Sequence, residues 1–195
     1  MIAAWRLPGA RFVTIEAQER SVRLAEKSAA YNGLDDRYEI RLADFRSPEA
    51  FASGDQFDLV LGSPPYFPQG SGIESDHPQR VACRFEMRGD ICDYARVAAD
   101  RLAPGGLFAC VFPDVDRARV AEAAAISALT IVRRRAVVFR EGEHPLIALF
   151  AMMRQGDLPR THDRTWEEPP LVIRCANGDV HPEYAAVKLA VGFPP

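Results

Sequence analysis

Phe57-Asp58-Leu59-Val60-Leu61-Gly62-Ser63-Pro64-Pro65-Tyr66 is an apolar run closed by a stiff turn. Its first six residues read as a buried strand, of the right length and ended by Gly and Pro. A small polar residue, two prolines and an aromatic ring therefore lie just past a strand's carboxyl end, where open α/β sheets place their ligands. Consecutive prolines fix φ and remove two backbone donors. The carbonyls of the turn must find donors elsewhere, and a ligand amino group is one candidate. A Tyr held by such a turn can stack on a flat ring. The competing reading is a rigid Pro turn with a packing Tyr. A generic strand-to-loop turn would instead be rich in Gly, Asn and Asp.

Outward from this stretch, strands and helices alternate, which argues for an α/β fold with a parallel sheet. Residues 11–16 (Arg-Phe-Val-Thr-Ile-Glu) read as a strand ending in an acid, and residues 19–32 as a helix stopped by Asn32-Gly33. Residues 38–42 read as a second strand leading to Ala43-Asp44. After the Phe57 strand, residues 67–90 read as a long polar loop, 91–102 as a helix stopped at Pro104-Gly105-Gly106, and 107–112 as a strand. Residues 116–129 are an Ala-rich helix. Residues 131–139 and 146–153 read as an antiparallel pair turning near Gly142, and the tail carries a further apolar run at 167–173. No internal repeat or low-complexity segment is visible.

The chain has 195 residues, 48% hydrophobic and 26% charged, which fits one globular domain with a core. A net charge of −3 gives no global signature of nucleic-acid binding, so such contact must come from a local patch. Cys83, Cys92, Cys110 and Cys175 form no Cys-x-x-Cys pair and have no His at zinc spacing, so the reading is reduced structural thiols, no metal and a cytoplasmic location. No apolar run reaches the length of a membrane span and no signal peptide opens the chain.

Ser63-Pro64-Pro65-Tyr66 resembles motif IV of the amino-group methyltransferases that use S-adenosylmethionine: Asn, Asp or Ser, then Pro-Pro, then Tyr, Phe or Trp. With the order of elements, the resemblance covers about residues 8–155. It implies a Rossmann-like class I methyltransferase sheet, mostly parallel with an antiparallel last strand. Residues 1–155 would be the methyltransferase domain, and 156–195 a C-terminal extension packing on it or trailing from it. Glu16, with Ala17 beside it, matches the acidic end of the second strand, where a carboxylate accepts hydrogen bonds from the cofactor's ribose hydroxyls. Asp44 matches the acid after the third strand, near the cofactor's adenine amino group, and Phe45 could flank that ring. Ala103-Pro104-Gly105-Gly106 resembles the turn into the fifth strand and is read as structural. The family's opening strand and Gly-rich loop have no counterpart before Arg11, and Met1 to Leu7 looks like the last turns of the helix that follows them. The expectation is a chain lacking both, in which the strands ending at Glu16 and at Gly62 lose the neighbour between them, an aggregation hazard.

The resemblance also implies a chemistry. An exocyclic amino or amide nitrogen is a poor nucleophile because its lone pair is delocalised. Two acceptors aimed at its hydrogens, Ser63 Oγ and the Pro64 carbonyl, favour a tetrahedral nitrogen, while stacking on Tyr66 fixes the ring plane. A base in nucleic acid must first be flipped out or already unpaired, and Tyr66 and Phe67 suit that stacking. Tyr66-Phe67-Pro68-Gln69-Gly70, Arg84-Phe85-Glu86 and Glu168-Pro169-Pro170-Leu171-Val172-Ile173 resemble bacterial enzymes that methylate adenine N6 in a valine tRNA. Arg80, Arg84 and Arg88, and Arg133-Arg134-Arg135, could meet phosphates, or could equally be surface charge balanced by acids. His77 and His144 read as surface histidines. The alternatives are glutamine in a release factor, cytosine N4, and a non-catalytic remnant.

Overall fold

The computed structural model describes residues 1–67, 86 and 89–194. The chain divides into two compact units, Met1–Asp55 with Ala185–Pro195, and Gln56–Tyr184.

In the first unit, a short helix α1 (Ile2–Arg6) precedes strand β1 (Phe12–Glu16), helix α2 (Glu19–Tyr31) and strand β2 (Tyr38–Leu42). β1 and β2 pair in parallel, Phe12 opposite Tyr38 through Glu16 opposite Leu42. Helix α2 carries Val22 and Ala29 on its buried face, and its last carbonyls are closed by the Asn32 N–H and side-chain amide. A small core of Ala4, Ala29 and Leu34 lies beneath, with Phe12 stacked on Tyr38. The Arg37 guanidinium donates to the carbonyls of Ala4, in the last turn of α1, and of Leu7 and Ala10 beyond it, so one side chain ties the end of that helix to the start of β1.

The second unit holds the main core. Strand β3 (Phe57–Gly62) leads towards helix α3 (Ile91–Arg101), strand β4 (Leu102–Pro113), helix α4 (Arg117–Ile126), and strands β5 (Leu129–Arg140), β6 (Ile147–Arg154) and β7 (Trp166–Arg174). Helix α5 (Pro182–Ala190) begins among the residues of this unit and ends among those of the first. The sheet order is β3-β4-β6-β5-β7. β3 runs parallel to β4 and β5 parallel to β7, while β6 lies antiparallel to both β4 and β5. This is the expected α/β architecture with its antiparallel pair at residues 129–154. Ile91, Ala95 and Ala98 of α3 and Val120, Ala123 and Ala124 of α4 pack with Phe108, Cys110, Phe112, Phe150 and Met152 of the sheet. Asp90 caps α3 by accepting from the Cys92 and Asp93 amides. Among the described strands β1 pairs only with β2, and β3 only with β4.

Several boundaries differ from the sequence reading. β4 starts at Leu102, so the turn Ala103-Pro104-Gly105-Gly106 lies inside the strand at a register shift opposite Phe57. Gly105 adopts φ +75° and its N–H donates to Asp157 Oδ2. A Cβ on Gly106 would lie 2.9 Å from the Phe57 carbonyl oxygen, which is fixed backbone. Gly106→Ala is therefore expected to destabilise the fold by about 1–3 kcal/mol, read as a lower urea midpoint at unchanged slope. The Ala-rich helix ends at Ile126, three residues early, because Ala128 takes φ 52° and turns the chain into β5. Helix α5 has no counterpart in the sequence reading of the tail, although Pro182 suits the first position of a helix.

Cys110 lies in the core, and burial pushes its thiol up to about 12, so it stays neutral and packs as a small hydrophobe. Among the described residues no cluster of metal-binding side chains occurs, and no helix is long and apolar enough to cross a membrane.

Candidate active site

Glu16 and Asp44 share one end of the first unit. Glu16 is the last residue of β1, opposite Leu42, and its carbonyl accepts from the Ala43 amide. That bond carries the parallel ladder one step past β2 and brings Asp44 to the same carboxyl edge. Glu16 Oε1 accepts the Gln18 amide at 2.7 Å, which holds the half-buried carboxylate at the start of α2 with Ala17 between them. Asp44 is gripped by Arg46, whose Nε and Nη2 both reach its carboxylate and whose amide donates to Oδ1. Phe45 follows, half-buried.

Ser63 to Phe67 belong to the second unit, at the carboxyl end of β3. Gly62 ends that strand against the α3 side chain of Tyr94; a Cβ there would come within 2.8 Å of the Tyr94 ring. Ser63 is exposed, Pro64 fully buried, and Pro65 and Tyr66 half-buried. The buried Pro64 anchors the turn, and Ser63 is left at the surface. Tyr66 packs edge-on against Phe112 of β4, centroids 5.6 Å apart at 81°. Phe67 is exposed. The turn is thus gripped at a proline and a ring, and it opens outward at a hydroxyl and a second ring.

Two residues that the sequence reading did not place here complete the turn. Arg119 of α4 donates through Nη1 to the Tyr66 carbonyl over a long 3.5 Å. Through Nη2 it pairs with the Glu86 carboxylate. The same guanidinium lies over the Phe112 ring, 5.4 Å from its centroid. The Glu86 amide donates to the Phe67 carbonyl at 3.0 Å. In the sequence Glu86 stands out only as the end of Arg84-Phe85-Glu86. Arg119 had no signal beyond being an arginine on an Ala-rich helix.

The substrate-binding candidate Arg84 lies outside the described residues, as do Arg80, Arg88 and His77. The Arg133-Arg134-Arg135 run lies within them. Arg133 is paired with Glu168 and stacked on Trp166, Arg134 is paired with Glu167 and Asp114, and Arg135 with Glu183. Each guanidinium is matched by a carboxylate, which weakens the run as a phosphate-binding patch. His144 is exposed in the turn between β5 and β6.

No protein-family model matches the chain. The type II methyltransferase M.CvrRI of Paramecium bursaria Chlorella virus XZ-6E is 29% identical over 103 residues, 53% of this chain and 24% of that protein. The release factor glutamine methyltransferase of Chlorobaculum tepidum is 36% identical over 86 residues, 44% of this chain and 28% of that protein. The chain thus spans about a quarter of the length of these curated relatives. Among solved structures, a predicted O-methyltransferase from Agrobacterium tumefaciens superposes with a TM-score of 0.72 at 18% identity, covering 98% of this chain and 83% of that one. TrmN from Thermus thermophilus gives a TM-score of 0.54 at 20% identity, over 78% of this chain and 39% of that one. The chain has the Rossmann-like fold of the class I methyltransferases, which use S-adenosylmethionine, and in sequence it is similar to members of that class.

Proposed function

We propose that this chain carries the methyl-transfer site of an S-adenosylmethionine-dependent N-methyltransferase. Its target is an exocyclic amino group of a nucleic-acid base, most directly adenine N6 in tRNA. The observation that carries the reading is the turn after β3, in which Pro64 is buried, Tyr66 packs edge-on against Phe112 and Ser63 is exposed at the strand's carboxyl end.

The donor set at the end of β1 and β2 fits the cofactor. Glu16 is an oriented carboxylate that can accept ribose hydroxyls, and Ala17, Asp44 and Phe45 follow at the same edge. Bound at that edge, S-adenosylmethionine would supply an electrophilic methyl group. Ser63 Oγ and the Pro64 carbonyl accept the amino hydrogens and draw the nitrogen lone pair out of conjugation. Tyr66 stacks on the base and holds the nitrogen in line, Phe67 offers a second ring at the rim, and Arg84 is assigned to a phosphate. No strong base is needed beforehand, because the methylated nitrogen is acidic and releases its proton afterwards. A second reading, transfer to a glutamine amide of a release factor, is supported by the 36% identity to the Chlorobaculum tepidum glutamine methyltransferase. An amide and an aromatic amine present the same pair of hydrogens to Ser63 and Pro64.

Calorimetric titration with S-adenosylmethionine tests the cofactor half. Micromolar binding is expected, weakened about ten- to a hundredfold by Glu16→Ala through loss of charge-assisted hydrogen bonds. A folded chain that does not bind the cofactor would overturn the reading. Transfer of a tritiated methyl group to unmodified tRNA or to a release factor, followed by digestion, separates N6-methyladenosine, N4-methylcytidine and methylglutamine.

A further inference from the structure

We infer that Arg119 is a positioning residue for Tyr66, acting together with Glu86; the inference rests on the stacking role proposed for Tyr66. Three contacts converge on one guanidinium. Its central carbon lies over the Phe112 ring, against which the Tyr66 ring packs edge-on. One of its nitrogens donates to the Tyr66 carbonyl, and the other pairs with Glu86. Glu86 in turn is tied to the turn by its amide, which donates to the Phe67 carbonyl. Ring, backbone and the residue after the ring are therefore held from one point on α4.

The need for such a device follows from the prolines. Pro64 and Pro65 have no N–H, so the turn cannot stiffen itself by donating hydrogen bonds and must be held through its carbonyls. A donor has to come from outside the turn. A planar fork that donates in two directions while its face lies on an aromatic ring is a demand that arginine meets and lysine does not. The side chains of Arg119 and Glu86 are 31% and 13% exposed, so the pair is partly shielded from water and its geometry is held better than that of a surface pair. Arg119 is placed to set the angle of the Tyr66 ring.

The test uses the full chain labelled with 3-fluorotyrosine and observed by fluorine NMR, with the Tyr66 resonance identified by its loss in Tyr66→Phe. Arg119→Met and Glu86→Gln should each move that resonance by more than its linewidth, while the signal of Tyr31, 91% exposed, stays in place. Arg119→Lys keeps the charge and the fold and should still move it. In parallel, Arg119→Lys and Glu86→Gln should lower kcat on tRNA about tenfold with the affinity for S-adenosylmethionine unchanged. A Tyr66 resonance that stays in place in both Arg119→Lys and Glu86→Gln would overturn the inference. An unchanged kcat in a transferring enzyme would overturn it as well. A wild-type chain that transfers no methyl group counts against the proposed function instead, and the fluorine signal still decides on Arg119.

Discussion

Tyr66→Ala should reduce methyl transfer by about a hundredfold or more and leave S-adenosylmethionine affinity within a few-fold. Stacking of a base on an aromatic side chain contributes about 1–3 kcal/mol, and a misplaced acceptor nitrogen adds a penalty of similar size to the barrier. The cofactor's ribose and adenine are assigned to Glu16 and Asp44 and the substrate ring to Tyr66, so the two effects should separate. Tyr66→Phe should keep most of the rate, because the ring does the stacking. The measurement is single-turnover transfer at saturating cofactor, with calorimetric binding alongside. If Tyr66→Ala abolished cofactor binding, the stacking role would fail and Tyr66 would be a cofactor residue.

The largest stability effect is expected at Phe108. Its side chain is 0% exposed, centred in the main core, and it lies beneath Gly62 with a ring carbon 3.3 Å from where a Cβ would stand. Phe108→Ala removes that ring from a site that β4 and its neighbours cannot fully collapse, at a cost of about 3–5 kcal/mol. Domains of this size are stable by about 5–15 kcal/mol, so the variant should be partly unfolded well below the wild-type melting temperature. Urea unfolding followed by circular dichroism reads the shift directly. Phe108→Leu, which keeps most of the volume, should cost much less. An alanine variant as stable as the wild type would mean that the second unit's core is not centred on β4.

Much of this arrangement was legible in the residues. The strands ending at Glu16 and Gly62 are β-branched or apolar runs closed by an acid or Gly, and the strand ending at Leu42 alternates apolar Tyr38, Ile40 and Leu42 with charged Glu39 and Arg41. The Ser63-Pro64-Pro65-Tyr66 turn stood out because two prolines after a strand are rare for any packing reason alone. What remained hidden depended on partners far along the chain. Arg117 and Arg119 look alike in sequence, and only the helix phase selects the one that meets Glu86, 33 residues away. Arg133-Arg134-Arg135 reads as a basic patch until β7 and α5 bring Glu167, Glu168 and Glu183 against it. The early start of β4 was missed because Pro104-Gly105-Gly106 is ordinarily a break; here Gly105 takes its positive φ within the strand and Gly106 admits the Phe57 carbonyl.

The pair Pro64-Pro65 has one more effect, on the sheet itself. β3 has β4 on one side, and its other edge is unpaired among the described strands. Any chain that added to that edge would meet no backbone donor at Pro64 or Pro65. The prolines therefore act as a full stop for the ladder. However β3 is completed on its open side, the strand cannot zip onward through the turn, and the residues assigned to the reaction stay out of the sheet's hydrogen bonding.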